Sequence, residues 1–173
     1  MACQIVKRNS RYMNIASLSQ IKRELKDIPH GELVELCIRV AKFKRDNKEL
    51  LNYLLFEAID EENYKDVIKN EIEIEFAEMN ASSVYLAKKS IRRILRMVTK
   101  HIKYSGAKQT EVELLIFFCQ EMRKLDLPFH ESKVLINLYN RQLQNIQKAL
   151  NFLDEDLQFD YQTELEEINK SLF

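Results

Sequence analysis

From Met79 to Thr110 the chain carries eight basic residues, Lys88, Lys89, Arg92, Arg93, Arg96, Lys100, Lys103 and Lys108, and no acid. Placed on a helix at about 100° per residue, Lys89, Arg92, Arg93, Arg96, Lys100 and Lys103 share an arc of about 100°, opposite Val84, Ile91, Leu95, Val98 and Ile102. Such a face grips phosphates, neutralises an acidic element of the same chain, or stands in water. It also repels itself: Lys89 faces Arg92 and Arg93, Arg96 faces Arg92, Arg93 and Lys100, and Lys100 faces Lys103. Each like-charge pair costs about 0.2 to 0.5 kcal/mol on an isolated helix, roughly 1 to 3 kcal/mol together.

The preceding stretch offers a counterpart. Residues 57 to 78 hold nine acids against Lys65 and Lys69. On a helix, Glu71, Glu75 and Glu78 fall within the arc of Val67, Ile68, Ile72, Ile74 and Met79, where a carboxylate loses solvation and persists only when paired. Pairing of Glu71, Glu75 and Glu78 with the basic helix is therefore the leading expectation. A solvated basic face comes next, and a nucleic-acid or anionic-membrane surface follows. Nucleic-acid readers combine such a patch with net positive charge, and single-strand binders add stacking aromatics; this chain has a formal charge of zero, and only Tyr85 and Tyr104 flank its patch.

Other chemistry finds less support. A carboxylate-bridged metal site in a helical bundle asks for Glu-x-x-His on facing helices; Val98 and Leu127 stand three residues before His101 and His130. His101 reads as a packed residue at the edge of a core, and His30 and His130 as solvent-facing residues near helix starts. Cys3, Cys37 and Cys119 have no neighbouring ligand at metal spacing, and the last two read as small core residues in a reducing compartment. Two glycines in 173 residues leave no phosphate-cradling loop or nucleophile elbow. No catalytic residue, metal or cofactor is expected.

These residues must be positioned by helices. Two glycines and two prolines imply long helices and short loops, and the length suits one core. Residues 1–16 read as a basic, flexible tail and residues 17–173 as one helical domain. Eight segments are expected. Ser17 with Gln20 forms a capping box for the first, Pro29 opens the second, Asn47 caps the third, Asp60 the fourth and Asn80 or Ser82 the fifth. Thr110 with Glu113 caps the sixth, His130 after Pro128 begins the seventh, and Asp160 caps a short eighth. "EIEIEF", residues 71–76, alternates like a strand, but Tyr64, Ile68, Ile72 and Met79 keep helical spacing through it and no partner strand exists, so it is read as helix. "EVELLIFFCQEM", residues 111–122, is apolar nearly all round and reads as the central helix; Phe117 shares a side with Glu113, Gln120 and Lys124, where core packing is favoured over contact with a neighbouring helix or subunit. Leu135, Leu138, Leu143, Ile146, Leu150 and Leu153 form the stripe of the next, opposite the amides Asn137, Asn140, Gln144, Gln147 and Asn151.

"SLSQIKRELKDIPHGELVELCIRVAKF", with "NKELLNYLLF" and "IKNEIEIEF", resembles a family of uncharacterised bacterial helical proteins over about residues 18–105. The resemblance implies an all-helical fold and no activity. The expectation is an all-α domain of seven or eight antiparallel helices, a bundle or a short stack of helical hairpins. No apolar run reaches the ~18 residues of a membrane span, and nothing at the N-terminus has the form of a secretory signal, which points to the cytoplasm. The function expected is a non-enzymatic protein-interaction or scaffold module, its partner a protein, a second copy included. The alternative is nucleic-acid binding through the basic helix, and the third reading an enzyme whose site forms only in the fold.

Overall fold

Residue patterning resolves into helices throughout the computed structural model, which describes residues 14–125 and 132–169. Among these residues there is no strand, and the all-α class is correct. The chain divides into two compact units, residues 1–49 and 50–173. The expected tail lies outside the described residues up to residue 13, as do Cys3, Pro128 and His130.

The first unit holds α1 (Leu18–Asp27), α2 (His30–Phe43) and the start of α3 (Arg45–Asn52). Ser17 caps α1 as expected: its hydroxyl accepts the Gln20 N–H and its own N–H donates to Gln20 Oε1 at 2.9 Å. Pro29 is the residue before α2, whose first helical position is His30. α3 starts at Arg45, earlier than expected, because Asn47 is inside the helix and its amide donates to the Val40 carbonyl at 2.9 Å. None of the residues of α1 or α2 is buried, so Cys37, expected in a core, is exposed.

The second unit has a dense core. α3 runs into a π-helical turn, Tyr53–Glu57, closed by the Ala58 N–H on the Tyr53 carbonyl at 2.9 Å. The wider turn leaves Tyr53 buried while Leu54, Leu55 and Phe56 stay exposed. α4 (Glu61–Ala77) is capped by Asp60, as expected, and carries residues 71–76 as helix. α5 (Val84–Ser105) is capped by Ser83 rather than Asn80 or Ser82, since Ser83 accepts from the Leu86 N–H. It ends at Gly106, which takes φ 69°, a left-handed conformation that only glycine adopts without strain, and donates to the Ile102 carbonyl.

α6 (Lys108–Lys124) is the central helix, buried nearly all round and in contact with α4, α5, α7 (Lys133–Leu150) and α8 (Glu155–Asn169). α8 starts before Asp160, so Asp160 is no cap. Its far end is held where the buried Tyr139 hydroxyl of α7 donates to the Ile168 carbonyl at 2.8 Å.

Candidate functional site

α4 buries one face, Tyr64, Ile68, Ile72 and Phe76 at four-residue spacing, and Lys65 goes inside with it. Val67 and Ile74 are about half exposed instead. The face is therefore rotated from the expected arc, which carries Glu71 and Glu78 into solvent and leaves Glu75 partly buried. The buried charge on α4 is a lysine, not a carboxylate.

Lys65 is 2% exposed, and burying an ammonium that deeply is costly unless acceptors meet it. Its Nζ donates to Glu113 Oε1 at 2.5 Å and Glu62 Oε1 at 2.7 Å. Glu113 also accepts from Lys69 Nζ at 2.9 Å, the Tyr161 hydroxyl at 2.8 Å and the Gln109 amide at 3.2 Å. Burial alone would raise the Glu113 carboxyl; the bonds from Lys65, Lys69 and Tyr161 outweigh it and hold the carboxyl down to about 2. Burial together with Glu113 as acceptor pushes the Tyr161 hydroxyl up to about 12. One carboxylate thus ties α4, α6 and α8 together.

A second carboxylate ties the other end. Glu61 opens α4 and accepts the hydroxyls of Tyr53 at 2.6 Å, Ser105 at 2.5 Å and Thr110 at 2.6 Å. Burial opposes its ionisation, yet these bonds bring its pKa below the ordinary value. Thr110 and Glu113 therefore do not cap α6, which begins earlier after Ala107; each reaches across to α4. Nearby, the Tyr64 hydroxyl lies 2.8 Å from His101 Nδ1, and His101 Nε2 lies 3.9 Å from a Glu71 oxygen. His101 sits at the core edge as expected.

The basic face meets the acidic helix through Arg93. Arg93 bridges to Glu75 at 2.5 Å. Lys89, Arg92, Arg96 and Lys103 are exposed and form no ion pair among the described residues, and Glu78 forms none. Lys100 lies over the Tyr104 ring, 5.9 Å from its centroid.

Neither Glu113 nor Cys119 is poised for acid–base or nucleophilic work. Glu113 has both oxygens occupied and a carboxyl too acidic to take a proton near neutrality. Cys119 is fully buried and burial pushes its thiol up to about 12, so it is not a thiolate at neutral pH. Among the described residues no three His, Cys, Asp or Glu side chains gather to hold a metal ion, and no helix is long and apolar enough to cross a membrane.

What the second unit does offer is a cleft of about 380 Å³ above the Glu113 network, with Phe117, Gln120 and Glu164 in its wall. Phe117, Glu113 and Gln120 share a side of α6 as the spacing implies; Lys65, Gln109, Tyr161 and Glu164 were not legible as their companions. Lys65 carries the one local signal, standing three residues before Ile68 and seven before Ile72 on the core face. Comparison with known proteins finds no matching family model, no similar curated protein and no similar solved structure.

Proposed function

We propose that the chain is a protein-interaction module whose contact is made by α1 and α2. The observation that carries this reading is the apolar surface of α2. At 100° per residue, Leu36, Phe43, Val40, Leu33, Cys37, Ala41, Val34 and Ile38 span an arc of about 220°, where a helix on the surface of a globular domain needs about 100°. Yet Val34, Leu36, Ile38, Val40 and Phe43 are 38–77% exposed. A helix this apolar gains stability by packing on something, and short helices have little of their own. The enclosed ionisable groups, committed to holding α4, α5, α6 and α8, add no competing catalytic reading.

Val40→Glu combined with Phe43→Glu tests it. Both residues are exposed, so the thermal midpoint should hold within the small effects expected of surface changes. Sedimentation across a concentration series and quantitative co-purification, each compared with the unsubstituted chain, should both be read. The double variant should lose whatever association the unsubstituted chain shows, with itself or with another protein. Association that survives both charges sinks the reading.

The second reading, a nucleic-acid surface on α5, is favoured by the exposed, unbridged side chains of Lys89, Arg92, Arg96 and Lys103. With Arg92 and Arg96 exposed and in no ion pair among the described residues, reversing both to Glu should leave stability unchanged or slightly raised, as self-repulsion is relieved. Under this reading the unsubstituted chain binds a mixed DNA and RNA pool with a log–log salt slope of about −0.9 per phosphate contacted on duplex DNA, and the double reversal abolishes the binding. Salt-independent or unmeasurable binding by the unsubstituted chain removes it.

A further inference from the structure

The apolar arc of α2 is wide enough for more than one contact, and one row within it has an order of its own. At 100° per residue Pro29, Leu33, Leu36, Val40 and Phe43 fall within about 80°, spaced four, three, four and three residues apart. That alternation makes the seam of paired helices, in which each apolar side chain seats among those of a facing helix. Pro29 is exposed, Leu33 partly so, and Leu36, Val40 and Phe43 are 39%, 50% and 77% exposed. No residue of α1 or α2 is buried, so the row is not closed within its own unit.

Two charges select the occupant. Glu32 and Arg39 stand on the same edge of the row, opposite in sign and seven residues apart. That separation is about 10 Å along the helix axis, so they do not bridge each other, and neither has a hydrogen bond or ion pair among the described residues. Flanking charges of this kind set the orientation and the partner of a paired helix. The row itself carries their complement. Its midpoint falls between Val34 and Glu35; Leu33 and Leu36 are equally far from it, as are Pro29 and Val40. Turned end for end, a second α2 lays its Leu36 on Leu33 and its Val40 on Pro29, and brings its Arg39 within two residues of level with Glu32, about 3 Å along the axis. A parallel pair loses this, because it sets the Glu32 and Arg39 edge against the opposite edge, which carries His30 and Cys37.

We propose that α2 is a homodimerisation element: two copies of the chain pair through antiparallel α2 helices about a two-fold axis, with Leu33, Leu36 and Val40 in the seam and Glu32 of each copy bridged to Arg39 of the other. This deepens the interaction reading above and rests on it, naming the partner as a second copy. A two-fold contact must be complementary to itself, and both the apolar row and its flanking charges meet that demand. Two helices of 14 residues cover a small area, so the pairing belongs to the weak, reversible class.

The test is sedimentation equilibrium of the full chain at low ionic strength, carried to roughly 0.5 mM because a contact this small is weak. A monomer–dimer equilibrium should appear and weaken with salt. Glu32→Arg alone should weaken it about tenfold, since both flanking pairs turn from attraction to repulsion at once, and Arg39→Glu alone should do the same. Mixing the two variants in equal amounts should restore association, because arginines of one chain then face glutamates of the other at both ends of the contact. A variant that had lost its fold could not be rescued in this way. Glu35→Arg, on the side of α2 away from the row, should associate as the unsubstituted chain does. A chain monomeric throughout the series, a dimer indifferent to both reversals, or a mixture no more associated than its components each overturns the pairing. A monomer that still binds another protein through Val40 and Phe43 also overturns it, and leaves the interaction reading standing.

Discussion

Glu113→Leu should cost about 3 to 5 kcal/mol of stability, the range for removing one partner of a buried ion pair. The loss is large because of what remains. Lys65, 2% exposed, keeps only Glu62 as an acceptor, and that carboxylate is mostly in water. Lys69, Gln109 and Tyr161 lose their common acceptor at the same time. Adding Lys65→Met to the variant removes the stranded ammonium, and replacing both members of a buried pair by apolar side chains is often close to neutral. The double variant should therefore be more stable than Glu113→Leu alone, a non-additivity readable from urea midpoints at constant m-value. A single variant within 1 kcal/mol of the unsubstituted chain, or strictly additive losses, would show that the network contributes little.

The same network marks where sequence reasoning stops. Helix identity is legible because it rests on local patterning: Ser17 with Gln20 and Asp60 cap what they were expected to cap, and residues 71–76 stay helical because four-residue spacing from Tyr64 to Phe76 buries one face continuously. The burial of residues 111–122 follows from their apolar circumference. Caps fail where a polar side chain has a better tertiary use. Thr110 and Glu113 have capping-box spacing, but a hydroxyl and a carboxylate on the inward side of a central helix are worth more satisfying buried groups on α4 than exposed N–H groups of their own helix.

The rotation of α4 has a similar cause. Counting apolar residues weighs Val67 and Ile74 equally with Ile68 and Ile72, and so centres the arc near Glu71 and Glu75. The buried row includes Lys65, which a hydropathy count assigns to water. Its partner Glu113 is 48 residues away in sequence, and no local spacing encodes that distance. The charge blocks themselves were visible, yet charge complementarity between α4 and α5 is realised at Arg93 and Glu75, because a basic arc opposite the apolar side of α5 necessarily faces away from the core that α4 shares. α2 is the converse case: Cys37 reads as a core residue in sequence and is exposed in the structure, as are Val40 and Phe43.

Acid should unfold the second unit through Glu113. Its side chain is 13% exposed, and its carboxyl is held at about 2 against an ordinary 4.5. A depressed folded-state pKa contributes stability that is complete above the unfolded value and disappears as pH falls toward the folded one. The window here therefore opens below pH 4.5 and closes near 2. Across it the contribution lost is roughly 3 kcal/mol. Glu61, lowered by its three hydroxyl donors against the opposing effect of burial, loses stability in the same direction. Glu164 works the other way: its raised carboxyl destabilises the folded chain while ionised, and protonation relieves that. Urea midpoints measured down the pH scale should fall steeply through this window for the unsubstituted chain. Glu113→Gln, less stable at neutral pH, should show a shallower fall, since the amide has no proton to gain. Two parallel curves would mean that acid acts elsewhere and that the Lys65–Glu113–Lys69 arrangement does not set the depressed carboxyl.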